Sequence, residues 1–85
     1  MKYTVNYGVD NSHINEIAIF KLYRDAVKFY NLLPKDKYPA KIIYKLFYNA
    51  NGYVIDKQAK NYEFVGGGIN ESLLLGYIIK PLETT

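Results

Sequence analysis

The chain has no cysteine and no tryptophan, and it has a single histidine among 85 residues. Without cysteine there is no disulfide framework, no thiolate metal ligand and no thiol nucleophile. A reducing compartment, the cytoplasm, is the expected setting. The lone imidazole, His13, leaves no histidine pair to share a metal, and beside Asn11 and Ser12 it reads as an exposed turn residue. Serine is scarce as well: neither Ser12 nor Ser72 sits in a G-x-S-x-G elbow. The carboxylates Asp10, Glu16, Asp25, Asp36, Asp56, Glu63 and Glu71 are dispersed, with no D-x-D or E-x-x-H spacing. The expectation is therefore a chain that performs no chemistry and takes no metal or cofactor.

Charge of one sign is also lacking. The net charge of +3 rules against a DNA mimic, which needs an acidic surplus, and permits nucleic-acid contact without demanding it. No apolar run approaches the length of a membrane span, so no membrane partner is expected. The first residues, Met1 to Val5, alternate and lack the apolar core of a secretory leader. The length suits one small domain over residues 1–85, with 83–85 frayed.

What the chain does have is tyrosine, ten in all. Tyrosine joins a large stiff surface to a polar tip, and it suits strands and binding faces. Tyr3, Val5, Tyr7 and Val9 alternate with polar residues and glycine, the pattern of a half-buried strand. After the turn cluster at 10–13, residues 15–22 read as a second strand. Ala18, Phe20 and Leu22 lie on one of its faces, and Ile17, Ile19 and Lys21 on the other.

From Tyr23 the period becomes helical. Ala26, Phe29, Tyr30 and Leu33 share a face, with Val27 on its flank, and Pro34 stops the helix. Residues 34–39 connect to a strand at 41–48. Asn51-Gly52 then predicts a two-residue hairpin turn into a short strand at 53–55. A polar turn at 56–61, a short strand at 62–65 and a last strand at 73–80 complete the pattern, the alternative for the last element being a short helix capped by Asn70 and starting at Glu71. The expected architecture is α+β: an antiparallel sheet of about five strands with one helix on one face, in the order β-β-α-β-β-β.

Two constellations point to partners. Lys35, Lys37, Lys41 and Lys45 interleave with Tyr38, Tyr44 and Tyr48, the combination that holds single-stranded nucleic acid by phosphate contact and base stacking. The chain has one arginine, Arg24, although arginine is the favoured reader of bases and phosphate. The other reading is a protein-binding face. One helix covers one side of a sheet, so Tyr44, Tyr48 and Tyr53, or their neighbours, fall on the open side or at an edge. The candidate partner-binding set is Lys37, Tyr38, Lys41, Tyr44, Lys45, Tyr48 and Tyr53. Gly66, Gly67 and Gly68 are expected to form a flexible loop rather than a phosphate cradle, since no Lys-Ser/Thr pair follows.

The run Arg24-Asp25-Ala26-Val27-Lys28-Phe29-Tyr30, set between two hairpins, gives the chain the layout of small phage and mobile-element proteins. In size and element order the whole chain resembles anti-CRISPR and other anti-defence inhibitors, although it departs from the acidic DNA mimics among them. The resemblance implies a stoichiometric inhibitor that occupies a surface of a host protein, such as a CRISPR effector or another defence nuclease. It transfers no functional residue. A nucleic-acid-binding protein and a structural or homo-oligomerising module remain the other readings.

Overall fold

The computed structural model describes residues 2–67. The elements are β1 (Lys2–Gly8), β2 (Glu16–Phe20), α1 (Tyr23–Leu32), β3 (Ala40–Tyr48) and β4 (Val54–Glu63), followed by a short 3-10 turn at Val65–Gly67. The strands form one antiparallel sheet in the order β2-β1-β3-β4. β2 and β3 both run antiparallel to β1, so they are parallel to each other on its two sides. A link between parallel strands must cross the sheet, and α1 is that crossover. The class is thus α+β, as expected.

The strand count differs from expectation. Residues 53–55, 56–61 and 62–65 are not strand, turn and strand: Val54–Glu63 is one strand paired along β3. Its polar residues resemble a turn because β4 has a single strand neighbour among the described residues and most of its side chains stay half-exposed. The register steps past Ile55 and Lys60, so β4 carries two bulges. Four strands are present among the described residues. The strand expected at 73–80, the frayed end at 83–85 and Gly68 lie outside them.

The core lies between α1 and the central strands. Val5, Ala26, Tyr30 and Ile43 are buried there, with Tyr3, Tyr7, Phe20, Val27, Phe29 and Leu33 packed around them. Full burial of an aliphatic side chain such as Val5 or Ile43 contributes about 1.5–3 kcal/mol. The helix has ten residues and no side-chain cap at its N-terminal Leu22, so this packing must hold it. Rings tile the interface: Tyr3 meets Tyr23 at 5.4 Å, Phe20 meets Phe29 at 5.3 Å, and Tyr7 meets Phe29 at 5.6 Å.

The β3–β4 turn differs from the one expected. Asn51 does not have positive φ, while Gly52 has φ +82°. The Gly52 amide donates to the Asn49 carbonyl at 3.0 Å, and the Asn49 amide donates to the Tyr53 carbonyl at 2.9 Å. This is a three-residue loop closed by a left-handed glycine, not a two-residue turn. The Asn49 side chain completes it by accepting from the amides of Asn51 (2.9 Å) and Tyr53 (3.1 Å).

At the other end of the sheet the 10–13 turn folds back over Gly8, and a Cβ there would collide with the His13 carbonyl group. Asn11 also reaches β4's end, donating to the Val65 carbonyl at 3.2 Å and accepting from its amide at 2.8 Å. Two glycine substitutions therefore act by different routes. Gly8→Ala forces backbone apart and is expected to cost about 1–3 kcal/mol. Gly52→Val meets open space, so its cost is the backbone term alone, about 1 kcal/mol or slightly more. Thermal unfolding by circular dichroism checks both, and an unchanged Tm in either variant removes the corresponding assignment.

Candidate protein-binding surface

The helix ends at Leu32, and the extended backbone of Leu33 after it (ψ 129°) leads into Pro34. The Tyr30 carbonyl would ordinarily accept from residue 34, but proline has no amide hydrogen. The Leu33 amide donates to that oxygen at 3.4 Å, and the Lys41 ammonium donates to it more closely, at 2.8 Å. The same Nζ lies 4.2 Å from the centroid of the Tyr30 ring and 3.6 Å from Glu63 Oε1. Lys41 is only 3% exposed, so its charge is held by these groups rather than by water.

Glu63 ties the edge strand into this cluster. Its other oxygen is 3.5 Å from Lys35 Nζ. Burial, and then the Glu63 carboxylate beside it, push the Tyr30 phenol above its ordinary pKa. Two turns earlier in α1, the Tyr23 hydroxyl donates to Asn61 Oδ1 at 3.2 Å. Tyr23 and Tyr30 thus reach from the helix to two positions on the same face of β4.

The strand period decides where the candidate residues go. In β3, Lys41 and Lys45 project to the helix side with Ile43, since they pair with Tyr7, Tyr3 and Val5. Tyr44 pairs with Thr4 and projects to the opposite side, and Tyr48 continues that row. The lysines and tyrosines that interleave in sequence are therefore separated by the sheet. Lys37 is exposed in the connector. Tyr38 is half-buried, with its ring edge-on to Tyr7 at 4.8 Å. Tyr53 is 56% exposed at the hairpin, whereas Tyr44 is 2% exposed. Gly66 (φ +75°) and Gly67 fall in the 3-10 turn that Asn11 holds at Val65.

The sheet face away from α1 carries several exposed apolar side chains. Ile17 and Ile19 of β2 (58% and 63% exposed) lie at one side of it, and Tyr62 of β4 (43% exposed) at the other. Between them lie Ile42 and Tyr44, both buried, and then Leu46 and Val54. A shallow concavity of about 280 Å³ runs across this face, with Thr4, Asn6 and Lys57 as its polar lining. The Lys57 ammonium stands 4.2 Å over the Tyr44 ring, and burial lowers its pKa. Asn6 Oδ1 is buried with no hydrogen-bond partner among the described residues.

His13 is positioned without a metal cluster around it. Its Nδ1 is 2.8 Å from Asp10 Oδ1, which also accepts from the Ser12 amide at 2.8 Å. These contacts, the His13 hydrogen bond foremost, hold the Asp10 carboxyl below its usual range. Among the described residues no three His, Cys, Asp or Glu side chains converge on a metal position, and no helix is long and apolar enough to cross a membrane.

Sequence reasoning missed Glu63, Asn61, Asn49 and Asn11 as organising residues. One signal was legible: a proline four residues after Tyr30 marks a carbonyl that needs a donor from elsewhere. Compared with known proteins, the chain matches no family model, no curated protein and no solved structure.

The lysine–carbonyl contact makes a quantitative claim. Lys41→Met keeps most of the apolar stem but leaves the buried Tyr30 carbonyl with only the longer 3.4 Å bond from the Leu33 amide, at a cost of about 1–3 kcal/mol. Glu63→Gln weakens a half-exposed ion pair and should cost less than about 1 kcal/mol. Chemical denaturation of both variants checks the order. Equal costs would mean that the ion pair, not the carbonyl, is what Lys41 serves.

Proposed function

We propose that this chain is a non-enzymatic protein-binding module, and specifically a phage-type inhibitor. It would occupy a surface of a bacterial defence nuclease, such as a CRISPR effector, in the host cytoplasm. The observation that carries this reading is the sheet face opposite α1. There Ile17, Ile19 and Tyr62 stand 58%, 63% and 43% exposed where a solvent-facing sheet ordinarily alternates to polar residues. Exposed apolar and aromatic side chains around a buried Tyr44 and a half-buried Leu46 suit a protein partner, whose own apolar anchors they can cover.

The nucleic-acid alternative draws less support from the same geometry. The lysines that interleave with tyrosine in sequence do not share their face, since β3 sends Lys41 and Lys45 to the side opposite Tyr44 and Tyr48, although Lys57 stands on the Tyr44 side.

The test is a titration of the purified chain into cleavage reactions of purified defence nucleases, CRISPR effectors among them. Complete inhibition at a stoichiometric ratio is expected. Combined Tyr48→Ala and Tyr62→Ala should weaken inhibition by about tenfold or more while the circular dichroism spectrum stays native. Combined Lys37→Glu and Lys45→Glu should change it little. If instead the lysine pair abolishes activity and binding falls steeply with salt, the chain acts through phosphate contacts and the protein-binding reading is wrong.

A further inference from the structure

The two edges of the sheet are built differently. β4 is broken by bulges at Ile55 and Lys60 and carries Lys57 and Lys60, the devices that keep an edge from pairing with another chain. β2 has neither device. It pairs with β1 in unbroken register over Glu16–Phe20, and it contains no proline, no lysine and no bulge. Its row on the open face is Ile17 and Ile19, more than half exposed, and the apolar Leu22 beyond it is 47% exposed. Among the described residues no strand lies on its outer side.

We propose that β2 is a homodimer edge, pairing antiparallel with β2 of a second copy about a two-fold axis at Ala18. The β2 sequence is self-complementary about that residue. A two-fold perpendicular to the sheet keeps each side chain on its own face, so the residues that meet must share parity in number. Ile17 then lies opposite the partner subunit's Ile19, and Ile19 opposite the partner subunit's Ile17. The four isoleucines form one apolar row. Glu16 meets the partner subunit's Phe20, so no two like charges face each other across Glu16–Phe20. Counting the described residues alone, the sheet becomes eight-stranded, with the bulged β4 strands at its two ends. Because, among the described residues, one edge is open and the other is bulged and charged, pairing closes at two copies rather than growing into a fibre. This inference shares Ile17 and Ile19 with the inhibitor reading but is argued from the strand's register and edge, and the mass of the chain in solution tests it separately from nuclease inhibition.

Sedimentation equilibrium of the full chain at micromolar concentrations tests it. The wild type should give twice the 9.8 kDa chain mass. Combined Ile17→Lys and Ile19→Lys places like charges opposite one another and should give the single-chain mass with an unchanged circular dichroism spectrum. A second measurement holds even if that variant fails to fold. In a mixture of isotope-labelled and unlabelled wild-type chains, cross-chain NOEs should join the Ile17 and Ile19 methyl groups. A monomeric wild type overturns the proposal. So does a charge variant that remains dimeric, which would put the contact elsewhere. Slow amide exchange along β2 in a monomeric chain overturns it too, because the edge would then be covered from within the same chain.

Discussion

The fold depends on one hydrogen bond that no helix could make for itself. Pro34 stops α1 and removes the amide four residues on, the Leu33 amide reaches the Tyr30 carbonyl at 3.4 Å, and the Lys41 ammonium adds a shorter bond from β3 at 2.8 Å. That contact joins three elements. Tyr30 belongs to the helix and Lys41 to a central strand. Glu63, 3.6 Å from the same ammonium, belongs to the edge strand. A positive charge at a helix C-terminus is also the sign that the helix dipole favours. A ten-residue helix with no side-chain N-cap has little intrinsic stability, so the anchoring of its far end matters more than it would in a longer one.

The abundance of tyrosine follows from the same arrangement. Tyr3, Tyr7, Tyr23, Tyr30 and Tyr38 all sit on the helix side or at its margin, where rings meet rings at 4.8–5.6 Å. A phenylalanine would fill the same space, but it could not place a hydroxyl on Asn61 as Tyr23 does. Much of the tyrosine is therefore a packing solution for a small domain that must join a helix to a polar edge strand. The other face of the sheet is arranged differently. There the isoleucines of β2 and Tyr62 are more exposed than Tyr44, which sequence position alone would have favoured.

The sequence was most legible where periodicity was strong. The alternation in β1, the helical spacing of Ala26, Phe29, Tyr30 and Leu33, and the stop at Pro34 all correspond to observed elements. It was least legible in β4, where half-exposed polar residues and two bulges erase the period of two. The Asn51-Gly52 pair located the turn but not its type, because the Asn49 side chain and the left-handed Gly52 close a longer loop. Among the candidate site residues, a one-dimensional run of lysines and tyrosines hid the fact that alternate residues of a strand face opposite ways. Lys41 looked like a surface cation for that reason. Its burial depends on a helix end that comes eleven residues earlier in the chain, and spacing within the strand does not report it.

The most direct measurement of this account is NMR observation of the lysine ammonium groups in the folded chain. Hydrogen-bonded and shielded from water, the Lys41 ammonium should exchange its protons slowly at neutral pH and show a hydrogen-bond coupling to the Tyr30 carbonyl carbon. Exposed lysines such as Lys28 and Lys37 should exchange too fast to detect. If the Lys41 ammonium exchanges as fast as theirs, the buried contact at the end of α1 does not hold the fold together.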